Sequence, residues 1–288
     1  MLIRDYLRTL SEALEDFRMD LSNPFKIDEV VMESINNFIA YRNDFIDLAS
    51  FCASFINSED IYDEFFYFFE RIIPYLFRTA AMQSWKQLAF DNYKFIAYEL
   101  FLYYAAILLR ERRFNTIDKL LSKQFHYTGT APEEKGKSWD YSVFCKYVSA
   151  LEELRKARLG LRVFSCTGEI IKERADRRDF DFERLMEVDY ILFVRSVLHL
   201  DYSSGRPFSP YWFPRCLPYA DDHNSFTFIL RAVHKEHFQN LATVLGVNDK
   251  DDLLRRWSLV RQNLQLNHVG GDWINPETLL CLNKLDTQ

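Results

Sequence analysis

The most constraining feature of this sequence is an apolar run at residues 95–109, FIAYELFLYYAAILL, in which Glu99 is the one charged side chain. Charged residues lie directly beside the run, with Lys94 before it and Arg110 after it. A helix of this length spans about 22 Å, which is shorter than the ~30 Å hydrocarbon core of a bilayer. The run therefore predicts a central core helix of a globular protein and not a membrane span.

Residues that interrupt helices are scarce in this chain. Its 288 residues include 8 Gly and 8 Pro but 26 Phe, and aromatic residues make up 16% of it. Average proteins use Gly and Pro about twice as often. Few helix breakers and many large apolar side chains favour long helices that pack through aromatic contacts. The sequence thus predicts a mainly α fold of long antiparallel helices, arranged as a bundle or in a solenoid-like way.

Apolar residues at helical spacing mark the first two helices. The apolar residues of the first helix alternate spacings of four and three, and they are Ile3, Leu7, Leu10, Leu14, Phe17 and Leu21. A second helix is predicted over residues 27–56, where Arg42 interrupts the apolar stripe. That stripe consists of Ile27, Val31, Ile35, Phe38, Phe45, Ala49, Cys52 and Ile56. We expect the first stripe to pack inside the fold, and the alternative is a seam for a partner or a second copy.

A polar segment at residues 127–138, YTGTAPEEKGKS, is the best candidate for a linker, because it holds two of the eight glycines. A boundary at this segment predicts an N-terminal helical domain over residues 1–127. It also predicts a C-terminal helical domain over residues 139–288. The alternative is one continuous domain.

The chain changes character near residues 205–233, where we expect a small irregular or β element. Two runs in this part, 211–219 and 226–233, have the aromatic and β-branched content that is typical of strands. Pro214 and Pro218 restrict the first run to an edge strand or a loop. Helical patterns surround this part, at about 180–200, 235–245, 249–264 and 276–284.

The cysteine pattern indicates a reducing compartment. The five cysteines are widely spaced and include no C-x-x-C pair, as expected of free and mostly buried thiols. The segment MLIRDYLRTLSEALEDF lacks the apolar core of a signal peptide, and Asp5 lies early in it. We therefore expect a soluble, cytoplasmic protein.

Charge is distributed unevenly along the chain. Residues 1–70 contain fifteen acidic and five basic side chains, whereas the whole chain has a net charge of −6. A strongly acidic surface repels nucleic acid and anionic membranes, and it favours a basic protein partner. A homo-oligomer is the alternative. The acidic residues that we expect to bind the partner are Glu12, Asp16, Glu29 and Glu33. The densest basic stretch, residues 155–178, has interleaved acidic residues, which favours a solvated helix face over a phosphate-binding patch.

Residues 131–138 resemble a loose Walker A phosphate-binding loop in which alanine replaces the first glycine. The candidate phosphate-binding residues are Gly136, Lys137 and Ser138. Such a loop needs a buried strand before it and a helix after it, but the preceding segment has a helical pattern. Glu133 and Glu134 also lie where anionic phosphates would bind. An exposed linker is therefore the favoured interpretation, and a nucleotide-responsive module is the alternative.

Two Arg-His spacings are compatible with metal-independent RNA cleavage. Arg261 and His268 are separated by six residues, and Arg231 and His237 by five. These spacings resemble the R-x4-6-H motif of helical ribonucleases of the HEPN superfamily, in which two chains bring Arg and His to the RNA phosphodiester. Histidine suits proton transfer, and arginine suits phosphate charge. Such spacings also arise by chance in a chain that is rich in arginine.

A metal site would draw on the histidines of the C-terminal half. His234 and His237 have i, i+3 spacing, and Cys216 and His223 precede them. Zinc accepts these ligand types, but the spacing matches no metal-binding pattern. Solvent-facing or hydrogen-bonded histidines are the favoured interpretation, so we expect no metal.

The sequence contains no assembled catalytic motif. Glu169 and Lys172 are one residue too far apart for the E-x-K element of a metal-dependent nuclease, and G-x-S-x-G and G-x-G-x-x-G are absent. By elimination, the sequence predicts a non-enzymatic, helical protein–protein interaction or regulatory subunit without a cofactor. The alternative is a HEPN-like, metal-independent ribonuclease in a bacterial anti-phage or toxin system, with Arg261 and His268 as its catalytic candidates.

Overall fold

A computed structural model of the chain shows a mainly α fold, as predicted, with helix in 69% of the structure. The described residues are 2–20, 26–56, 58–82, 86–175, 177, 179–203, 211–220, 226–264 and 276–287. Their α-helices are α1 (Leu2–Ala13), α2 (Ile27–Asn37), α3 (Ile39–Phe55), α4 (Glu59–Ile72), α5 (Asp91–Arg110), α6 (Phe114–Ser122), α7 (Lys156–Leu159), α8 (Cys166–Arg174), α9 (Phe182–Leu198), α10 (Thr227–Arg231), α11 (Lys235–Leu245), α12 (Lys250–Asn263) and α13 (Pro276–Leu280).

One small antiparallel sheet is present among these residues. It joins β1 (Phe125–His126) to β2 (Ser138–Trp139), with Phe125 opposite Trp139 and His126 opposite Ser138. A π-helix at Ala150–Arg155 leads into α7. Within the described part of the chain, no helix combines the length and the apolar character needed to cross a membrane.

The chain divides into two compact units. Unit 1 comprises Met1–Glu111 and Lys123–Thr167, and unit 2 comprises Arg112–Ser122 and Gly168–Gln288. Residues 127–137 of the predicted linker connect β1 to β2 inside unit 1. The division into domains 1–127 and 139–288 stays a prediction.

The core of unit 1 surrounds α5, whose residues Asp91 to Leu109 are all buried. This burial confirms the core helix predicted for residues 95–109. The ring of Phe65 on α4 stacks on that of Tyr104 on α5, with 4.7 Å between the ring centroids. Burying a phenylalanine side chain contributes roughly 1.5–3 kcal/mol, so the Phe-rich α4 is held against α5 mainly by burial.

The first two predicted stripes are largely buried. Leu7, Leu10 and Leu14 lie in the core, and α1 continues beyond Ala13 as a 3-10 turn at Leu14–Phe17. Leu21 lies outside the described residues. The helix predicted over residues 27–56 is divided at Phe38 into α2 and α3. Both helices keep the predicted stripe, and its buried members are Ile27, Val31, Ile35, Phe38, Phe45, Ala49 and Cys52.

Unit 2 is organised around α9, which runs close to the bounds predicted for a helix at 180–200. Asp181 caps its first turn, because the side chain accepts a hydrogen bond from the Arg184 N–H at 2.8 Å. The helix α11 ends at Gly246, which has the left-handed conformation that favours glycine.

The strand-like content of residues 226–233 does not produce a strand, because Thr227–Arg231 form the helix α10. Phe226, Ile229 and Ala232 are buried at a spacing of three. That spacing places the three side chains on one face of a helix, whereas a strand would send them to alternating sides. Residues 211–216 are irregular, as expected, and a 3-10 turn follows at Leu217–Tyr219. Residues 204–210 and 221–225 lie outside the described residues.

Candidate functional site

Helix α3 has one side in the core and one side in solvent. Phe45, Ala49 and Cys52 are buried. The opposite side carries four exposed residues spaced by three, four and four positions, which places them in one row along the helix. We call this row the α3 surface, and its members are Asp44, Asp47, Phe51 and Phe55.

The two phenylalanines of the α3 surface form an exposed aromatic pair. Phe51 is 54% exposed and Phe55 is 77% exposed. Their ring centroids are 5.4 Å apart and the ring planes are tilted by 42°. Adjacent large apolar side chains on a surface are typical of a binding site, because contact with another molecule removes them from water.

The acidic end of the α3 surface reaches towards Tyr6 of α1. Burial, together with the smaller effect of the negative charges of Asp44 and Asp47, raises the pKa of the Tyr6 hydroxyl to about 12. Tyr41 also lies at this end, where its ring stacks on Phe38 with centroids 5.7 Å apart. The surface therefore combines carboxylates with aromatic rings over the length of α3.

This combination of aromatic rings and carboxylates is suited to binding another molecule. Aromatic side chains are common anchors of protein interfaces, and carboxylates at the edge select basic partners and speed their association. The α3 surface contains no nucleophile paired with a base. A partner segment with apolar side chains and a positive charge matches it.

The acidic residues predicted to bind a partner have different surroundings. Glu12 lies 3.9 Å from Arg8, and Asp16 and Glu33 are exposed. Glu29 forms ion pairs with Lys26 at 3.2 Å and with Arg158 at 3.0 Å. Whether these residues bind a partner stays a prediction.

Part of the charge imbalance along the sequence is neutralised inside unit 1. The guanidinium of Arg158, in the basic stretch 155–178, donates to the buried Asp28 carboxylate, with Nη2 to Oδ2 at 2.7 Å. Arg155 lies 3.9 Å from the same carboxylate. The acidic helix α2 thus has a basic complement within the chain, which sequence reasoning did not anticipate.

The candidate phosphate-binding residues lie at the end of the loop that joins β1 to β2 and at the start of β2. Gly136 has a φ of 77° in a turn, and Ser138 begins β2. Lys137 is paired with Glu134 at 3.2 Å, and Arg78 with Glu133. This arrangement is an antiparallel hairpin and differs from the strand–loop–helix of a phosphate-binding loop. Phosphate binding by Gly136, Lys137 and Ser138 stays a prediction.

The structure describes both residues of the Arg231–His237 pair and one residue of the Arg261–His268 pair. Arg261 lies on α12 and forms an ion pair with Glu277 at 3.3 Å, and His268 lies outside the described residues. Arg231 is exposed at the end of α10, and His237 lies on α11. The ribonuclease hypothesis stays a prediction.

The residues considered for a metal or a nuclease have different surroundings. Cys216 is buried, and its N–H donates to the Asp189 carboxylate at 2.8 Å. The ring centroids of His234 and His237 are 6.4 Å apart, and His223 lies outside the described residues. Among the described residues, no group of three or more His, Cys, Asp or Glu side chains is placed to hold a metal. Glu169 and Lys172 lie on the helix α8, not on a strand.

Sequence reasoning missed the exposed aromatic pair. Phe51 and Phe55 lie off the predicted apolar stripe and on the same helical side as Asp44 and Asp47. A projection of residues 39–55 around a helix axis places the two phenylalanines away from the core stripe. This position away from the stripe was the signal in the sequence that could have indicated an exposed aromatic pair. Comparison of the chain with protein-family models, curated proteins and solved structures found no match.

Proposed function

We propose that this chain is a non-enzymatic interaction protein that acts as a regulatory subunit in a reducing, cytoplasmic compartment. It binds a basic protein partner through the α3 surface. The observation that carries the proposal is the exposed Phe51–Phe55 pair in line with Asp44 and Asp47. The five free cysteines fit a reducing compartment.

Charge favours a different protein over a second copy as the partner. A symmetric contact between two copies of the α3 surface would bring the same carboxylates to the interface, and like charges oppose each other there. A partner with lysine or arginine near an apolar anchor would contact both the carboxylates and the phenylalanine rings of the α3 surface. Removal of an aromatic anchor typically costs about 2 kcal/mol in binding, which is roughly a 30-fold loss of affinity.

Site-specific photo-crosslinking in the native cells tests this proposal. A photoreactive phenylalanine analogue at position 55 should crosslink one protein, and the product should be lost when Phe51→Ser is added. The matched control carries the same analogue at Leu159, which is 44% exposed on α7. Equal crosslinking at both positions, or none at position 55, would contradict the proposal.

Charge reversal distinguishes binding through the α3 surface from binding through the acidic residues that the sequence predicts. The pair Asp44→Lys and Asp47→Lys should weaken binding of the crosslinked partner and reduce its dependence on salt, because exposed charges are screened over about 8 Å at physiological ionic strength. Glu33→Lys on α2 is the matched control. A product that contains two copies of the chain would assign the surface to self-association.

A further inference from the structure

Unit 1 contains a cavity of about 370 Å³ between the end of α4, the 3-10 turn after α1 and the β1–β2 loop. Its walls are mostly apolar. Among the described residues, the rings that line it belong to Tyr75, Phe77, Phe90, Tyr93 and Tyr127. Small-molecule sites in proteins commonly have volumes of about 300–1,000 Å³ and apolar linings with a few polar groups.

Arg71, in the last turn of α4, contributes an unpaired positive charge to this cavity. Its Nε and Nη2 atoms are buried, and neither has a hydrogen-bond partner among the described residues. Burial lowers the pKa of the Arg71 guanidinium, because a desolvated charge is unfavourable without a counter-ion. An arginine in this position is stabilised by any anion that enters the cavity.

The other charges at the cavity do not supply that counter-ion. The charged side chains among its described lining residues are Glu15, Arg18 and Arg71, and Glu15 is paired with Arg18 at 2.6 Å. The lining therefore carries one net positive charge, which a monovalent anion would neutralise.

Charged groups near Arg71 but outside the lining are also paired. Arg4 contacts Glu64 at 2.5 Å, and Arg8 lies 3.9 Å from Glu12. The two carboxylates act on Arg71 electrostatically, and the two arginines oppose them. Because each of these carboxylates is paired with another arginine, Arg71 has no dedicated partner among the described residues.

The aromatic walls are held in place by hydrogen bonds. The Tyr93 hydroxyl donates to the carbonyl oxygen of Leu14 at 3.0 Å. The Ala131 N–H donates to the Tyr127 hydroxyl at 2.9 Å, and the Ala80 N–H donates to the Thr130 hydroxyl at 3.2 Å. Because these side chains are already fixed, less conformational entropy is lost when a ligand binds.

We infer that this cavity binds a small carboxylate with an apolar body, with the carboxylate at Arg71 and the body among the tyrosine and phenylalanine rings. An aromatic body fits the walls best, because aromatic rings contact each other favourably in edge-on and offset geometries. The inference is independent of the α3 surface, so either proposal can fail without the other.

Calorimetric titration with defined probes tests this inference. The probes are indole-3-acetate, which is aromatic, and octanoate, which is aliphatic, each with its neutral amide. Each carboxylate should bind at least tenfold more tightly than its amide, and indole-3-acetate should bind more tightly than octanoate. If neither carboxylate binds at millimolar concentration, or if the amides bind equally well, the inference is overturned.

Variants locate the binding in the cavity. Arg71→Met should remove the preference for carboxylate over amide, and Arg71→Lys should keep part of it. Ala89→Phe should block both probes, because Ala89 lines the cavity. Arg110→Met, at a half-buried arginine paired with Glu111, is the matched control and should bind like the unmodified protein. Unchanged carboxylate preference in both Arg71 variants, with unchanged circular dichroism, would also overturn the inference.

Discussion

Arg42 on α3 and Glu99 on α5 form an ion pair inside the core of unit 1, with Nη1 and Oε1 3.2 Å apart. Their side chains are 3% and 1% exposed. Arg42 interrupts the apolar stripe of its helix, and Glu99 is the one charge in the apolar run 95–109. The two charged residues that interrupt apolar patterns in the sequence therefore neutralise each other's charge in the fold.

Removing one member of this pair should be strongly destabilising. Glu99→Leu leaves a buried guanidinium without its counter-charge, and we expect a loss of about 3–5 kcal/mol in the free energy of unfolding. The double variant Arg42→Met with Glu99→Leu should lose less than Glu99→Leu alone, because it leaves no unpaired charge. Urea unfolding of the two variants measures the difference. A double variant that is no more stable than Glu99→Leu alone would contradict this prediction.

The Glu152 carboxylate should make stability depend on acid pH. Burial raises its pKa, but hydrogen bonds from Lys156, Ser165 and the Thr167 N–H outweigh burial, and the net pKa is lowered. A lowered folded-state pKa gives stability that is present above the unfolded value of about 4.5 and lost as pH falls through the folded value.

We therefore expect Glu152→Gln to lose about 1.5–3 kcal/mol at pH 7, the usual range for hydrogen bonds to a charged group. The difference in unfolding free energy between the variant and the unmodified protein should decrease as pH falls from 6 to 3. Urea unfolding at several pH values measures it. Glu153→Gln is the matched control, and a gap that stays constant with pH would exclude Glu152 as the cause.

Asp189 on α9 should hold the irregular segment 211–216 in unit 2. Its carboxylate accepts hydrogen bonds from the Trp212 indole N–H at 2.7 Å and from the Cys216 N–H at 2.8 Å. Asp189→Ala leaves two buried donors unsatisfied, which costs about 1–3 kcal/mol each. We expect faster hydrogen exchange in 211–220 and exposure of the buried Trp212. Asp201→Ala, at an exposed turn, is the control, and equal exchange in both variants would refute the role of Asp189.

Two glycines in the left-handed conformation allow the stability cost of backbone strain to be distinguished from the cost of a steric clash. Gly246 has a φ of +66°, and an added Cβ would lie 2.9 Å from His199 Nε2 and 3.0 Å from Arg195 Cζ. Gly160 has a φ of +61° and open space around it. Gly160→Ala should cost about 1–2 kcal/mol from the backbone alone, and Gly246→Ala should cost more because Arg195 or His199 must shift. Unfolding measurements that give equal losses would contradict a contribution from packing.

The sequence by itself determined the elements whose signal is local. The helix at 95–109, the stripes of α2 and α3, and the bounds of α9, α11 and α12 followed from spacing and flanking residues. Such signals lie within one or two helical turns, so they do not depend on the rest of the fold.

Tertiary structure decided which elements meet and which surfaces stay exposed. The partners Arg42 and Glu99 are 57 residues apart, and β1 and β2 contribute two residues each, which is too short for a strand pattern. The cavity beside Arg71 likewise arises from the packing of distant segments, and only the packed fold shows that the α3 surface stays exposed. Spacing along a helix shows which residues share a side, but only the packed fold shows whether that side contacts another helix, a cavity or water, because burial depends on neighbours that are distant in sequence.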